Sequence, residues 1–486
     1  MAETVTTSTW IQSISMIIIE GADYVESTLH VPFFHFILEV LLVLWIVRLL
    51  TGKSYNPKET KLELTKEEEE KLIADWEPEP LVPADSKIPE YVTKPRLVKG
   101  KPSYRINING NDCLNLCTMN FLGFVGNEEV EKAAITTLRN YGVGSCGPRG
   151  FYGTVDVHLD LEKKIAEYLG TEEAILYSYG FSTISSAIPA YSKRTDVIFC
   201  DKGVNFAIQK GISASRSKVY WFEHNDMEDL EGKLKEQQEK DKKNPKKAVV
   251  TRRFLVIEGL YINTGDIAPL PKIIELKNKY KVRVFIDESY SFGVLGKRGC
   301  GVTDHYDIPL DQIDLMAVSL EFSLGSVGGF CAGPSFVIDH QRLSGQGYCF
   351  SASLPPLLAV ASQTGIELME KDSSMFKKLE NNCKYFRKQI EGIKGFDIQG
   401  DEVSPIVHLY LKDTEELSRE DIETKLSQYV DKCHEKGVGL TSSRYLNDLE
   451  LYLPPASIRI SLNSKLVEDD MDNSTNIMKE IANEMF

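Results

Sequence analysis

Two deficits mark this 486-residue chain: its first 30 residues hold no lysine or arginine, and none of its nine cysteines stands in a CxxC pair. The cysteines, scattered from Cys113 to Cys433 in odd number, exclude a disulfide scaffold and read as reduced thiols of a cytosolic environment. Cys113 and Cys117 make half of a metal site at best, and no metal is expected. Positive charge is short throughout. Lys+Arg 56 against Asp+Glu 71 leaves a net charge of -15, which excludes a broad phosphate-backbone footprint, so nucleic acid is not expected as a partner. A chain with 42% hydrophobic residues and ordinary glycine and proline must bury a large core.

What is present begins with an apolar run. Val31 to Leu50 reads VPFFHFILEVLLVLWIVRLL, about 20 residues at 1.5 Å each, the length of a hydrocarbon core. With Trp45 and Arg48 near one end it reads as a membrane helix rather than a buried core helix, and no positive n-region marks it as a cleavable signal. Arg48, Lys53, Lys58 and Lys61 follow it, so the large C-terminal part is expected in the cytosol and the N-terminus on the other side. Glu39 inside the run calls for a helical partner, because an isolated carboxylate in hydrocarbon costs about 2.5–3.5 kcal/mol. The shorter run Trp10 to Ile19 suits an interfacial position. These features outline an N-terminal segment over 1–52, then a charged juxtamembrane helix and a proline-containing linker over 53–103.

From about Tyr104 short apolar runs alternate with amphipathic stretches. EAILYS (173–178), DVIFC (196–200), VYWF (219–222), RFLVIEG (253–259), VRVFIDE (282–288), LMAVSL (315–320) and GGFCAG (328–333) read as strands of one α/β sheet. The sheet is expected to be mostly parallel with the last adjacent pair antiparallel. A large domain over 104–354 and a smaller C-terminal α+β domain over 355–486 complete the layout.

Three segments carry chemistry. Gly142 to Gly153, GVGSCGPRGFYG, contains a literal GxGxxG, but a helix precedes it and Pro148 follows, so it is not a dinucleotide fingerprint. It reads as a structured loop at a ligand or a neighbouring chain, with Arg149 either available to a phosphate or carboxylate or lying on a surface turn. Asp287 ends an apolar strand, where ligands of open α/β sheets sit, and either bonds a protonated heterocyclic nitrogen or serves as a turn residue. SLEFSLGSVGG (319–329) supplies a third glycine-rich turn after a strand.

Together with NFLG (120–123), SYGFSTIS (178–185), DESYSFGVLGKRGCG (287–301), FSASLPP (350–356) and RISL (459–462), these segments resemble the α-oxoamine synthase family of fold-type I pyridoxal phosphate enzymes. The resemblance implies an aminotransferase-like large domain and condensation of an amino acid with an acyl-CoA. It also exposes departures. The family's Schiff-base lysine falls at Phe322, its ring-stacking histidine at Asn205, and the histidine of its D-E-A-H motif at Tyr290. No lysine stands between Lys297 and Lys371. Without that amine there is no carbanion chemistry on this chain.

With its intact loop and apolar N-terminal run, the chain is most similar to the non-catalytic half of a membrane heterodimer of that family, which makes 3-ketosphinganine from L-serine and palmitoyl-CoA at the endoplasmic reticulum. The resemblance then implies pyridoxal 5'-phosphate held covalently by a lysine-bearing partner subunit, with small membrane regulatory subunits expected at the N-terminal helix. Phe350, Ser351 and Ser353 reach the partner's cofactor in trans, Asp287 is vestigial, and Cys146, Arg149 and Tyr177 line the shared loop. Two other readings stay open. Ser351 and Ser353 could instead cap the helix that follows Pro355. An autonomous enzyme could use a displaced lysine such as Lys202, Lys210 or Lys297.

Overall fold

The computed structural model describes residues 33–51, 64–82 and 94–486, with the isolated Met16 and Glu20. It divides into two compact units, Met1–Pro89 and Glu90–Phe486.

In the first unit Phe33–Thr51 is one helix of 19 residues, and its described apolar side chains from Ile37 to Leu50 are exposed. Among the described residues no helix is long and apolar enough to cross a membrane, so the span expected over Val31–Leu50 is not supported. Val31 and Pro32, which would begin its first turn, lie outside the described residues, as do Lys53, Lys58, Lys61 and all of Trp10–Ile19 but Met16. Lys66–Asp75 is a second helix, begun by a capping box. There Thr65 takes the Glu68 amide and Glu68 Oε2 takes the Thr65 amide at 2.9 Å, so two end donors are satisfied reciprocally.

The second unit is built on a seven-stranded sheet. Its strands in chain order are β4 (Glu173–Tyr177), β5 (Val197–Asp201), β6 (Lys218–Phe222), β7 (Arg253–Glu258), β8 (Arg283–Asp287), β9 (Leu315–Ser319) and β10 (Gly329–Gly333), preceded by β1 (Val98–Lys99), β2 (Arg105–Ile108) and β3 (Asn111–Asn115) outside that sheet. The spatial order is β4-β10-β9-β8-β7-β5-β6. β6, β5, β7, β8 and β9 run parallel, and β10 lies antiparallel between β9 and β4. Strands covered on both faces read as continuous apolar runs, which is why seven strands were legible as seven hydrophobic segments. Phe199, Phe254, Ile257, Val284 and Ile286 are buried at its centre, each such side chain contributing about 1.5–3 kcal/mol.

Helices cover the sheet, and their ends follow from local chemistry. Asn127 caps Glu128–Tyr141 through its side-chain oxygen, which takes the amides of Glu129 and Val130, and Gly142 at φ 79° ends that helix. The glycine-rich loop begins there, preceded by a helix as its sequence indicates.

Two small sheets complete the unit. β11 (Phe396–Gln399), β12 (Ile406–Leu411), β14 (Thr441–Ser442) and β15 (Ile458–Ser461) form one, in the order β11-β12-β15-β14. In the other, β1, β2 and β3 are joined by β13 (Val438–Gly439), which pairs in parallel with β3. Residues 98–115 therefore pack with the C-terminal part of the chain rather than with the large sheet that follows them.

Candidate functional site

Parallel strands deliver their last residues to one edge, and here three neighbours each end in a buried carboxylate: Asp201 on β5, Glu258 on β7 and Asp287 on β8. Glu258 and Asp287 stand opposite each other in the ladder. Buried carboxylates this close raise one another, so Glu258 is pushed well above its ordinary range by burial first and by Asp287 second. Asp287 is also raised by burial, and its neighbour Glu288 reaches about 7 for the same reason.

Each of these acids is satisfied from within the chain. Asp287 Oδ2 accepts the side-chain amide of Asn205 at 2.9 Å, while its Oδ1 accepts the Ser289 amide at 3.0 Å and the Ser289 hydroxyl at 2.5 Å. Asn205 works twice more. Its backbone N–H donates to Glu258 Oε1 at 2.6 Å, and its side-chain oxygen caps the helix Phe206–Ser215 through the Ile208 amide. On β5, Asp201 holds His224 Nδ1 at 2.8 Å, and His224 Nε2 reaches Asp266 at 3.2 Å. Burial alone would lower that histidine, but the two carboxylate bonds prevail and raise it to about 9.

Beyond the strand ends lie two aromatic rings. Tyr290 stacks on Phe322 with centroids 4.5 Å apart and planes at 22°. Burial, then Glu258 and Asp287, hold the Tyr290 hydroxyl protonated. The main chain of Phe322 accepts the Phe121 amide at 3.1 Å, which ties the stack to the NFLG segment. These residues do not fit a covalently held pyridoxal phosphate. Asp287 already takes three hydrogen bonds from Asn205 and Ser289, and the lysines named as substitutes are engaged elsewhere. Lys202 pairs with Glu223, Lys210 sits over the Phe206 ring and donates to the Leu449 carbonyl, and Lys297 pairs with Asp307.

The loop 142–153 and the segment 350–354 form a second cluster. Ser353 is buried, and its hydroxyl and amide both donate to the Gly147 carbonyl, at 3.2 and 2.9 Å, with the hydroxyl also reaching the Gly153 carbonyl. Ser145 Oγ donates back to the Ser353 carbonyl at 3.0 Å. Ser178 Oγ donates to the Ala352 carbonyl, and the His158 Nε2–H donates to the Leu354 carbonyl at 2.6 Å, its tautomer set by the Val155 amide on Nδ1. Gly153 is glycine for a reason: a Cβ there would run into the Gly147 carbonyl. Held by this stitching, Phe151, Tyr152 and Phe350 stand exposed, Tyr152 completely so.

Several expected roles change in this setting. Arg149 is buried, not poised for an external anion; its Nη1 and Nη2 grip Glu162 at 2.9 and 3.1 Å, and its Nε binds Thr154 at 2.9 Å. Tyr177 is not at the loop surface but in β4, where its hydroxyl donates to Gln341 at 2.6 Å. Ser353 faces its own loop, while Ser351 is half-buried with no hydroxyl bond among the described residues. Neither serine caps the helix Pro356–Lys371, whose first position follows Pro355 without a side-chain cap. Cys146, expected where backbone packs closely, is exposed, with φ +59°.

Sequence reasoning missed Glu258, Ser289, Glu162 and Ser178. Glu258 had a signal: it ends RFLVIEG as Asp287 ends VRVFIDE. The others reveal themselves only through contacts with distant segments.

Residues 111–475 match the family of class I and II aminotransferases. Serine palmitoyltransferase 1 of Dictyostelium discoideum is 43% identical over 90% of this chain and 92% of that protein. The chain belongs to the serine palmitoyltransferase 1 family. Long chain base biosynthesis protein 1 of Arabidopsis thaliana is 40% identical over 93% of this chain and 92% of its own length. Among solved structures, a serine palmitoyltransferase from S. paucimobilis with bound pyridoxal phosphate and myriocin matches with a TM-score of 0.71 at 23% identity, covering 82% of this chain and 96% of that one. The fold is thus that of pyridoxal phosphate-dependent transferases, and membership of the serine palmitoyltransferase 1 family gives the chain a role in making sphingolipid bases.

Proposed function

We propose that this chain is the non-catalytic but required subunit of a serine palmitoyltransferase that condenses L-serine with palmitoyl-CoA to 3-ketosphinganine. Serine palmitoyltransferase subunit 2 supplies the lysine that holds pyridoxal 5'-phosphate and the histidine that stacks on it. This chain completes the shared site from across the interface. The observation that carries the reading is the Tyr290–Phe322 stack: Phe322 occupies the lysine position, and the carboxylate behind it is already occupied by Asn205 and Ser289.

The loop supports the same reading from the other side. Its serines and carbonyls bind one another, yet its aromatic rings face outward, an arrangement that lowers solubility unless a partner covers it. In the heterodimer Ser351 bonds the phosphate of the partner's cofactor, Phe350 packs beside it, and Cys146 lies next to the partner's serine site. Attachment to the endoplasmic reticulum membrane, with the catalytic part cytosolic, falls to the exposed apolar helix Phe33–Thr51, where Glu39 and small membrane regulatory subunits meet.

Borohydride reduction tests the assignment. The purified chain alone should trap no cofactor–lysine adduct, and the heterodimer should trap one on subunit 2 only. An adduct on Lys202, Lys210 or Lys297 of this chain would establish the autonomous enzyme instead. Removing residues 1–52 should release the complex from membranes; retention with unchanged partners would overturn the anchor.

A further inference from the structure

At the edge of the sheet opposite the three carboxylates, where β5 and β6 begin, a cleft of about 410 Å³ opens beside the helices Met227–Lys243 and Pro245–Val250. β5, β6, β7 and β8 run parallel, so five-residue strands separate this cleft from Asp201, Glu258 and Asp287 by about 16 Å. It belongs to neither the ring stack nor the loop 142–153.

Four cationic side chains line it, Arg194, Lys218, Lys240 and Lys247, in a chain whose net charge is -15. Two acids line it as well, but both are already neutralised. Asp196 Oδ1 accepts the Arg252 amide at 2.9 Å, and its Oδ2 accepts Arg252 Nη2 and the Lys193 amide, each at 2.9 Å. Asp241 accepts Arg253 Nε and Gln237 Nε2, each at 2.8 Å. Arg252 and Arg253 thus cancel the acids from outside the cleft.

Of the cations, only Lys240 has an acidic partner, Glu236, and it shares the Tyr220 hydroxyl with Lys218. Arg194 and Lys247 form no ion pair and no side-chain hydrogen bond among the described residues. Three cations therefore face the cleft uncompensated, one of them a guanidinium, whose planar fork matches phosphate oxygens. Val197 and Ala248 add an apolar wall, and the volume lies within the range of small-molecule sites.

We propose that this cleft binds a phosphate-bearing ligand, a phosphomonoester or diphosphate group on a compact body, at a site separate from the condensation chemistry. The group is either free in solution or displayed as a lipid headgroup. The test uses the purified heterodimer with inorganic pyrophosphate as the soluble probe, titrated calorimetrically. The lipid arm uses flotation with phosphatidylcholine vesicles with and without phosphatidylinositol 4-phosphate.

Saturable binding of pyrophosphate, or capture by the phosphoinositide vesicles alone, weakened about tenfold or more in Arg194→Gln/Lys247→Gln, supports the site. Binding to vesicles without pyrophosphate binding identifies the headgroup as the source. The variant should melt as the parent does, because both side chains are exposed and unpartnered, and Lys377→Gln/Lys378→Gln on the helix Ser374–Ile390 should leave binding unchanged. No saturable binding in either arm, or binding indifferent to Arg194→Gln/Lys247→Gln, overturns the proposal.

Discussion

The strand-end acids and the loop 142–153 start from different kinds of sequence, the ends of apolar strands and a glycine-rich turn between two helices, and they end in opposite states. At the strand ends the acids are bound from within the chain: the Asn205 and Ser289 side chains and three backbone amides bind Glu258 and Asp287, and Tyr290, next to Ser289 in sequence, stacks on Phe322. In the loop the hydrogen bonds are also internal, but the side chains left over point out, with Cys146 and Tyr152 in the left-handed region and Phe151 and Phe350 exposed. The strand-end acids are satisfied by their own chain. The loop leaves its side chains exposed because its backbone is set by positive-φ residues and, at Gly147 and Gly153, by glycines with no room for a Cβ.

The comparison breaks most visibly at Arg149. Removing the guanidinium leaves buried Glu162 with only the Leu176 amide and a 3.9 Å approach of Arg342, a loss of up to about 3–5 kcal/mol, so Arg149→Leu should sharply lower the denaturant midpoint. Arg149→Leu/Glu162→Leu should regain most of it; a double variant as unstable as the single one would deny that the pair acts as a strut. At Phe322 the expectation is an absence. Phe322→Lys gives up a ring stack worth about 0.5–1.5 kcal/mol and still meets Asn205 and Tyr290 where histidines are needed, so it should yield no condensation without subunit 2. Activity from that single change would end the account of a non-catalytic chain.

Cys146→Trp sharpens the contrast. Because Cys146 is exposed here, the added bulk should leave the chain's own melting temperature nearly unchanged, while serine turnover by the heterodimer falls; overpacking at the covered interface costs about 1–3 kcal/mol. Normal turnover would move Cys146 away from the partner's site. Ser351→Ala is a smaller probe: the heterodimer should hold pyridoxal phosphate more weakly at an unaltered melting temperature, and unchanged affinity would remove Ser351 from the phosphate.

A last effect is a pH slope. His224 is near 9 in the folded chain against an ordinary value of 6.5, so it contributes stability that is fully present below about 6.5 and lost as pH rises through 9. His224→Gln should flatten the stability profile between those values. A parent whose stability does not decline across that window would show that Asp201 and Asp266 do not hold a charged imidazole.

Apolar runs made the main sheet legible, six of its seven strands being largely buried and β6 only partly so, and the helical stretches between them pointed to mostly parallel pairing, while the strand order was not legible. The short strands β1 to β3 and β13 were not legible. β1 to β3 pair locally in short antiparallel steps, and β13 joins β3 across more than 300 residues, a contact no local pattern announces. The same limit applied to site residues. Phe322, Asn205 and Tyr290 could be singled out as departures within motifs, but their mutual geometry could not.

Residue identity alone determined that no lysine stands between Lys297 and Lys371 and that Asp287 ends an apolar strand, because both are read directly from the order of residues. Tertiary structure decided what became of them. Arg149, free to bind an outside anion by its sequence context, is drawn inward because Glu162 on the helix Asp156–Leu169 is buried with it and an unpaired charge there would be costly. Ser353 turns to the carbonyls of Gly147 and Gly153 because those acceptors, 200 and more residues away in sequence, arrive within reach only when the loop closes.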